Sequence, residues 1–232
     1  MSLAIIAGLL GLFWSQTVVA QRWDNCTSTG KSSDIPGCSE VIEKNEYTCS
    51  VLAVAFANRG LAQVKKGHLE GALDDYNLSI KLNPHYAAAY LGRSEVLYRM
   101  GQTGPATMDE KKGASFLAQA QKAYNEGYQA YWDSRFELAI ERYTEAIEKD
   151  PLFAYAYYGR ADVHYYRENW SRAAEDYQVA VFLMSPKDVW YESGKRHLKF
   201  SRLYARQSGA EDIGQNREHG CTELQYLNRG AH

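Results

Sequence analysis

The sequence predicts an all-α protein built as a solenoid of helical hairpins. One phrase occurs three times, as EGALDDYNLSIKLNP at 70–84, ELAIERYTEAIEKDP at 137–151 and SRAAEDYQVAVFLMSP at 171–186. Such self-similarity is typical of repeat architectures, in which each copy is one supersecondary unit that packs on its neighbours. The three copies therefore define the register of the remaining elements.

Each copy has the periodicity of an amphipathic second helix. An alanine, an aromatic residue four positions later and a small residue three positions after that lie on one helical face. These residues are Ala72, Tyr76 and Ser79; Ala139, Tyr143 and Ala146; and Ala173, Tyr177 and Ala180. Pro84, Pro151 and Pro186 end the copies, because proline has no amide donor and disfavours helix in the residue before it.

A first amphipathic helix precedes each copy. Its inner face carries residues at helical spacing, which are Phe56, Gly60 and Gln63; Ala123, Gly127 and Ala130; and Tyr157, Ala161 and His164. Because the second-helix face is the same in every copy, we expect each first helix to be its packing partner. Each pair therefore predicts one helical hairpin.

A further repeat is degenerate. The stretch YLGRSEVLYRMG at 90–101 has the pattern of a first helix, but GPATMDEKKGASFLAQ at 104–119 does not have that of a second helix. Pro105 and Gly113 weaken a helix there. Since the repeat phase is kept to within one residue, we expect a decayed repeat rather than an insertion.

The chain resembles the tetratricopeptide repeat family over roughly 53–186. The resemblance is carried by FANRGLAQVKKGHLEGALDDYNLSIKLNP at 56–84, AYNEGYQAYWDSRFELAIERYTEAIEKDP at 123–151 and AYAYYGRADVHYYRENWSRAAEDYQVAV at 154–181. The interval from Pro84 to Pro151 is 67 residues, about twice the 34-residue period of that family. The resemblance implies three to four repeats, one of them degenerate, and it leaves the ligand open.

The first twenty residues have the form of a secretory signal peptide. The apolar run SLAIIAGLLGLFW at 2–14 is followed by SQTVVA at 15–20, which predicts cleavage after Ala20. The run is shorter than the roughly 20 residues of a membrane span. Because no Lys or Arg precedes the run, an uncleaved anchor remains the alternative.

Export provides an oxidising compartment for the four cysteines. Cys26 and Cys38 flank a loop-like stretch and are the natural pair, which staples an N-terminal cap over 21–52. Cys49 and Cys221 remain, and sequence does not choose among the three connectivities of four cysteines. An early cysteine pair and a repeat array behind a signal peptide look like exported alphaproteobacterial repeat proteins, so we expect a periplasmic or secreted protein.

Aromatic residues recur on the first helices of the later repeats. In the tetratricopeptide family, first helices line a groove that binds peptides or partner helices. By that resemblance the groove candidates are Tyr124, Tyr128, Tyr131, Trp132, Tyr155, Tyr158, Asp162 and Tyr165. Tyrosine combines broad apolar contact with a hydroxyl and is enriched at binding hot spots. The alternative is that these rings pack between neighbouring repeats.

The array predicted over 53–186 is followed by a helix over 187–207 and a mobile tail over 208–232. The helix has apolar residues among basic ones, and it would cover the last apolar face of the array. Its basic face is formed by Lys195, Arg196, Lys199, Arg202 and Arg206. Besides an uncleaved signal segment, this face is the one expected route to contact with an anionic membrane or an acidic partner.

No catalytic motif was found in the sequence. It lacks a phosphate loop, a His-Glu-x-x-His pair, a nucleophile elbow and a Cys-x-x-Cys pair. A net charge of −2 gives no basic surplus for nucleic acid. We therefore expect a non-catalytic scaffold, without metal or cofactor, that binds a protein or peptide. The alternative is a structural or accessory subunit of an envelope complex bound through its convex face or C-terminal helix.

Overall fold

The computed structural model describes Cys26, residues 34–44, residues 48–209 and Cys221, and within these residues every regular element is an α-helix. The predicted all-α class is thereby confirmed. The expected signal segment at 1–20 and most of the expected tail lie outside the described residues. Those two expectations stay predictions.

The helices are named in chain order. They are α1 (Asp34–Lys44), α2 (Cys49–Lys66), α3 (Leu69–Leu82), α4 (Ala87–Arg99), α5 (Thr103–Trp132), α6 (Phe136–Lys149), α7 (Ala154–Tyr166), α8 (Trp170–Leu183) and α9 (Tyr191–Gln207). The chain divides into two compact units. The first contains residues up to Pro84, Ala88–Lys111 and His219–His232, and the second contains His85–Ala87 and Lys112–Glu218.

The first unit contains the hairpin of α2 and α3, with α1 packed on α2. The second repeat adds α4 and the beginning of α5. The second unit contains the rest of α5 with α6, then the hairpin of α7 and α8, and α9 packs on α8. In both units, a residue with positive φ ends each first helix, namely Gly67, Gly101, Ser134 and Glu168. This left-handed residue turns the chain into the following second helix.

The degenerate stretch at 104–119 is helical and lies within α5, which runs continuously through 30 residues. Pro105 does not weaken the helix because it is the third helical residue, where the amide has no intrahelical partner to lose. Ala118 stands where the repeat period would place a proline, 34 residues after Pro84 and 33 before Pro151. Without that proline, the second helix of one repeat continues into the first helix of the next.

Tyrosines of the second helices pack against glycines of the first helices. A Cβ atom built on Gly92 would lie 2.3 Å from the Cε1 atom of Tyr76, and one on Gly159 would lie 2.5 Å from Cζ of Tyr143. Both tyrosines are buried. Burial raises the pKa of each hydroxyl. The repeated tyrosine ring therefore requires glycine at the position of the facing first helix, because any side chain there would overlap the ring.

An ion pair recurs once per repeat at a spacing of sixteen residues. Arg59 binds Asp75, Arg93 binds Asp109 and Arg160 binds Asp176, each through two hydrogen bonds of 2.6 to 2.9 Å. In the third repeat the acidic residue lies on the first helix and the basic residue on the second, and Arg142 lies 3.6 Å from Glu126. Since Asp109 lies in 104–119, this stretch keeps the second-helix register despite its weak pattern.

Two disulfide bonds lie in the first unit. Cys26 is bonded to Cys38, as the sequence predicted, and Cys49 is bonded to Cys221 across 172 residues. In the chain-entropy model, closing a loop of that length removes about 5 kcal/mol of unfolded-state freedom. The bond fixes Cys221 to the first residue of α2.

We predict that the repeated ion pair contributes more to stability than the exposed ones. Arg160→Ala leaves the buried Asp176 unpaired and removes a 2.9 Å bond to the Thr144 hydroxyl. We expect a loss of about 3 kcal/mol in the free energy of unfolding, measured in urea. The control is Arg167→Ala, whose exposed pair with Glu137 contributes below about 1 kcal/mol. Equal losses at both sites would contradict this prediction.

Candidate functional site

The predicted groove residues lie on α5 and α7, both within the second unit, but they differ in exposure. Trp132 is 66% exposed, Tyr128 45% and Tyr155 38%, whereas Tyr158 is 7% exposed. Tyr124, Tyr131, Asp162 and Tyr165 are half-buried. The set predicted as one surface therefore comprises packed members and accessible members.

Tyr158 belongs to the core because α9 covers it. Its hydroxyl donates to Oγ of Ser193 at 3.1 Å, and its ring meets that of Tyr177 edge-on at 5.5 Å. Burial raises the pKa of the Tyr158 hydroxyl. The neighbouring Tyr155 donates to Oδ2 of Asp188 at 2.5 Å, in the segment before α9. This burial depends on how α9 docks, which a local sequence pattern does not specify.

A polar cluster lies between α7, α8 and α9. Asp162 accepts a hydrogen bond from the Tyr177 hydroxyl, and Nδ1 of His197 lies 3.8 Å from its Oδ1. The His197 ring stacks on Tyr165 at 5.3 Å. Burial raises the pKa of Asp162 to about 6, although the bond from Tyr177 opposes the shift. Burial also lowers the pKa of His197, with a further contribution from Arg196. Tyr165 therefore helps to hold α9 in place, whereas the buried Nδ1 of His197 makes no hydrogen bond within the described residues.

Tyr124 and Tyr131 are half-buried and pack against the core from its surface side. The Tyr124 ring lies 5.8 Å from that of the buried Tyr143 and 5.0 Å from that of Phe153. Tyr131 packs on the same core and contacts the rings of Trp132 at 5.6 Å and Phe136 at 6.3 Å. Burial is the main cause of the raised pKa of both hydroxyls.

The accessible members extend into a continuous run of rings, which we call the aromatic patch: Tyr128, Tyr131, Trp132, Phe136 and Tyr166. Tyr128 meets Trp132 at 6.0 Å, and Phe136 meets Tyr166 at 5.0 Å. Tyr166, at the last residue of α7, is 67% exposed. The patch thus joins the end of α5, the start of α6 and the end of α7.

Phe136 and Tyr166 were not among the predicted groove residues. Phe136 begins the second helix rather than lying on a first helix, so the first-helix rule excluded it. Tyr166 directly follows the predicted groove residue Tyr165 in the sequence. The clustering of both hairpin turns of the second unit in space is what brings them to the patch.

His164 is buried on α7, and burial lowers the pKa of its imidazole. Among the described residues, no group of three or more His, Cys, Asp or Glu side chains could hold a metal ion. None of the described helices is long and apolar enough to cross a bilayer.

Residues 124–188 match the family model described as tetratricopeptide repeat. A similar relative is human Tetratricopeptide repeat protein 6, which is 29% identical over 116 residues, or 50% of this chain and 22% of the relative. Another is human mitochondrial import receptor subunit TOM70, 26% identical over 158 residues, or 64% of this chain and 26% of the relative. The chain spans about a quarter of the length of these relatives. The family match and the relatives support the tetratricopeptide repeat family.

Solved structures of repeat proteins are also similar at low identity. The structure of YrrB, titled a TPR protein with an unusual peptide-binding site, is 18% identical, with a TM-score of 0.32; 70% of this chain and 82% of YrrB are covered. MamA is 19% identical, with a TM-score of 0.34; 74% of this chain and 96% of MamA are covered.

We predict a pH-dependent gain in stability from Asp162→Asn. The folded-state pKa of about 6 lies above the ordinary 3.8, so the folded protein binds a proton more readily between these pH values. The ionised carboxylate therefore costs stability above pH 6, and this cost disappears as the pH falls through that range. At pH 7.5 we expect the variant to exceed the wild type by about 2 kcal/mol.

The difference is measured by urea unfolding at pH 4 and pH 7.5, with Asp133→Asn at an exposed site of the same unit as the control. At pH 4 the Asp162→Asn variant and the wild type should have nearly equal stability. A difference that stays constant between the two pH values would show that burial does not disfavour the charge of Asp162.

Proposed function

We propose that this protein is a non-catalytic interaction scaffold, and that the aromatic patch of its second unit binds an extended peptide or a partner helix. The observation that supports this proposal is the exposure of Tyr128, Trp132 and Tyr166, which are 45%, 66% and 67% exposed. Large aromatic side chains exposed side by side are uncommon on a surface that has no binding role.

The chemistry of the patch suits recognition of a peptide. Tyrosine and tryptophan offer large contact areas and lose little rotamer entropy when they are immobilised. Their ring-to-ring contacts of 5.0 to 6.3 Å pre-order the patch before a partner arrives. Pre-ordering reduces the entropic cost of binding. The tyrosine hydroxyls add hydrogen bonds that fix the direction of a bound segment.

The half of the predicted groove on α7 is less available to a partner. Tyr158 is buried under α9, and Tyr165 stacks on His197 of that helix. The proposed site is therefore narrower than the predicted groove, and it lies around the two hairpin turns of the second unit. Tyr155 is 38% exposed, but it lies at the start of α7, about 16 Å along the helix from Tyr166 at its end.

The comparisons support an interaction role in general terms. Extended repeat arrays bind partners through broad surfaces rather than through deep catalytic pockets. The two disulfide bonds are compatible with an exported protein, and a periplasmic or secreted location is part of this proposal.

The proposal is tested by selecting peptides from a random display library on residues 21–232 and measuring their affinities. The triple variant Tyr128→Ala, Trp132→Ala and Tyr166→Ala should lose at least about a hundredfold in affinity, since each hot-spot ring contributes about 1–2 kcal/mol. The matched control is Phe182→Ala, which removes a ring that is 42% exposed on the second helix α8. Circular dichroism checks that each variant keeps its helices.

Peptides that bind the triple variant as tightly as the wild type would place the binding surface elsewhere. Failure to select any peptide that distinguishes the wild type from the triple variant would also reject the patch as a peptide site. Loss of affinity in Phe182→Ala of the same size would show that the effect is not specific to the patch.

A further inference from the structure

The terminal helix α9 packs through one face, which includes small residues as well as the half-buried His197 and Leu198. Gly194, Ser201 and Ala205 are buried on that face, and a Cβ atom on Gly194 would lie 2.9 Å from Cγ2 of Val181. These small residues let α9 approach α8 closely. The opposite side of the helix faces solvent, so α9 covers the last part of the array and presents a second surface.

This outer surface is strongly basic. Its cations are all exposed and are Lys195, Arg196, Lys199, Arg202 and Arg206. Glu192 is the one acidic residue of α9, which gives the helix a net charge of +4 with histidine neutral, whereas the whole chain carries −2. The rest of the chain is therefore acidic, and the positive charge is concentrated on this helix.

Most of these cationic side chains have no ion-pair or hydrogen-bond partner within the described part of the second unit. Lys195 pairs with Glu192 at 3.1 Å, and Arg202 donates to Oε1 of Gln178 at 2.8 Å. The side chains of Arg196, Lys199 and Arg206 make no ion pair or hydrogen bond with another residue in the described part of the chain. Within that part, the charges of these three side chains are not neutralised by a partner.

Apolar side chains lie among the cations on the same surface. Phe200 is 39% exposed and Leu203 is 47% exposed. They are three residues apart, so they are neighbours on the helix surface. At 100° per residue, Leu203 falls opposite Gly194, with Arg196 and Lys199 on either side of it. The outward face therefore has an apolar centre with cations beside it.

We propose that the outer face of α9 docks on an anionic lipid surface. A helix that lies in a membrane interface combines Lys and Arg with exposed Leu or Phe, which enter the boundary between headgroups and acyl chains. The charges of headgroups are spread over a plane, and long flexible cations on a convex helix match such a plane. An acidic protein would use the cations but would not require Phe200 and Leu203. The docking surface is separate from the aromatic patch and does not depend on it.

The proposal is tested by co-sedimentation of residues 21–232 with vesicles of phosphatidylglycerol and phosphatidylcholine, and with vesicles of phosphatidylcholine alone. These residues include every residue that the structure describes and omit the apolar run at 2–14. We expect binding to the anionic vesicles that weakens between 0.1 and about 0.5 M salt. Binding to the neutral vesicles should be at least roughly tenfold weaker.

Two sets of variants locate the binding surface. The combined Arg196→Gln, Lys199→Gln and Arg206→Gln form should bind the anionic vesicles roughly a hundredfold more weakly, at about fivefold for each cation. Phe200→Ser with Leu203→Ser should reduce binding that persists at high salt. The matched control replaces three exposed cations of the first unit, Lys65, Lys66 and Lys111, by glutamine and should bind like the wild type.

Each other outcome rejects the proposal. Absence of salt-dependent binding of the wild type to anionic vesicles would do so without any variant. An equal loss in the control would indicate a general charge effect. Binding to poly-glutamate but not to vesicles, or vesicle binding that is unaffected by Phe200→Ser with Leu203→Ser, would favour an acidic protein partner. Circular dichroism confirms that the helical content of each variant is unchanged.

Discussion

The close approach of first helices to the tyrosines of second helices is the constraint on which the second unit depends. Tyr143 lies between Gly127 and Gly159, where added Cβ atoms would come within 3.0 and 2.5 Å of its ring. One residue thereby connects the first helices of two successive repeats. Because packed interiors tolerate little extra volume, this contact fixes how α5, α6 and α7 pack.

That packing determines which aromatic side chains stay accessible. With the glycine face turned inward, Tyr128 and Trp132 of α5 lie on the outside, and Tyr131 contacts both the core and the patch. At the other end of the unit, α9 takes the place of a further first helix and covers Tyr158. The exposed aromatic patch and the cap are thus two consequences of one repeated packing rule, and the opposite face of α9 stays exposed to solvent.

Much of the fold could be predicted from the sequence, because small and aromatic residues recur at fixed positions and prolines end the copies. The Cys26–Cys38 bond was also predictable from its loop. Pro105 and Gly113 predicted a weakened helix over 104–119, whereas the absence of a proline at Ala118 is what lets α5 continue. The sixteen-residue spacing of Arg and Asp is also present in the sequence, although pairing across two helices is not a local pattern. Burial of Tyr158 and pairing of Cys49 with Cys221 depend on contacts between distant segments, which a local pattern does not encode.

The most direct test of this account is the free energy of unfolding of Gly159→Ala. Replacing glycine by alanine within a helix ordinarily raises the free energy of unfolding by about 1 kcal/mol. Here a Cβ atom would meet the buried ring of Tyr143, so we expect a loss of about 2 kcal/mol instead. Gly104→Ala, where nothing lies within 4 Å of the added Cβ atom, is the control and should be neutral or stabilising. A gain in stability at Gly159 would contradict the packing on which the site is built.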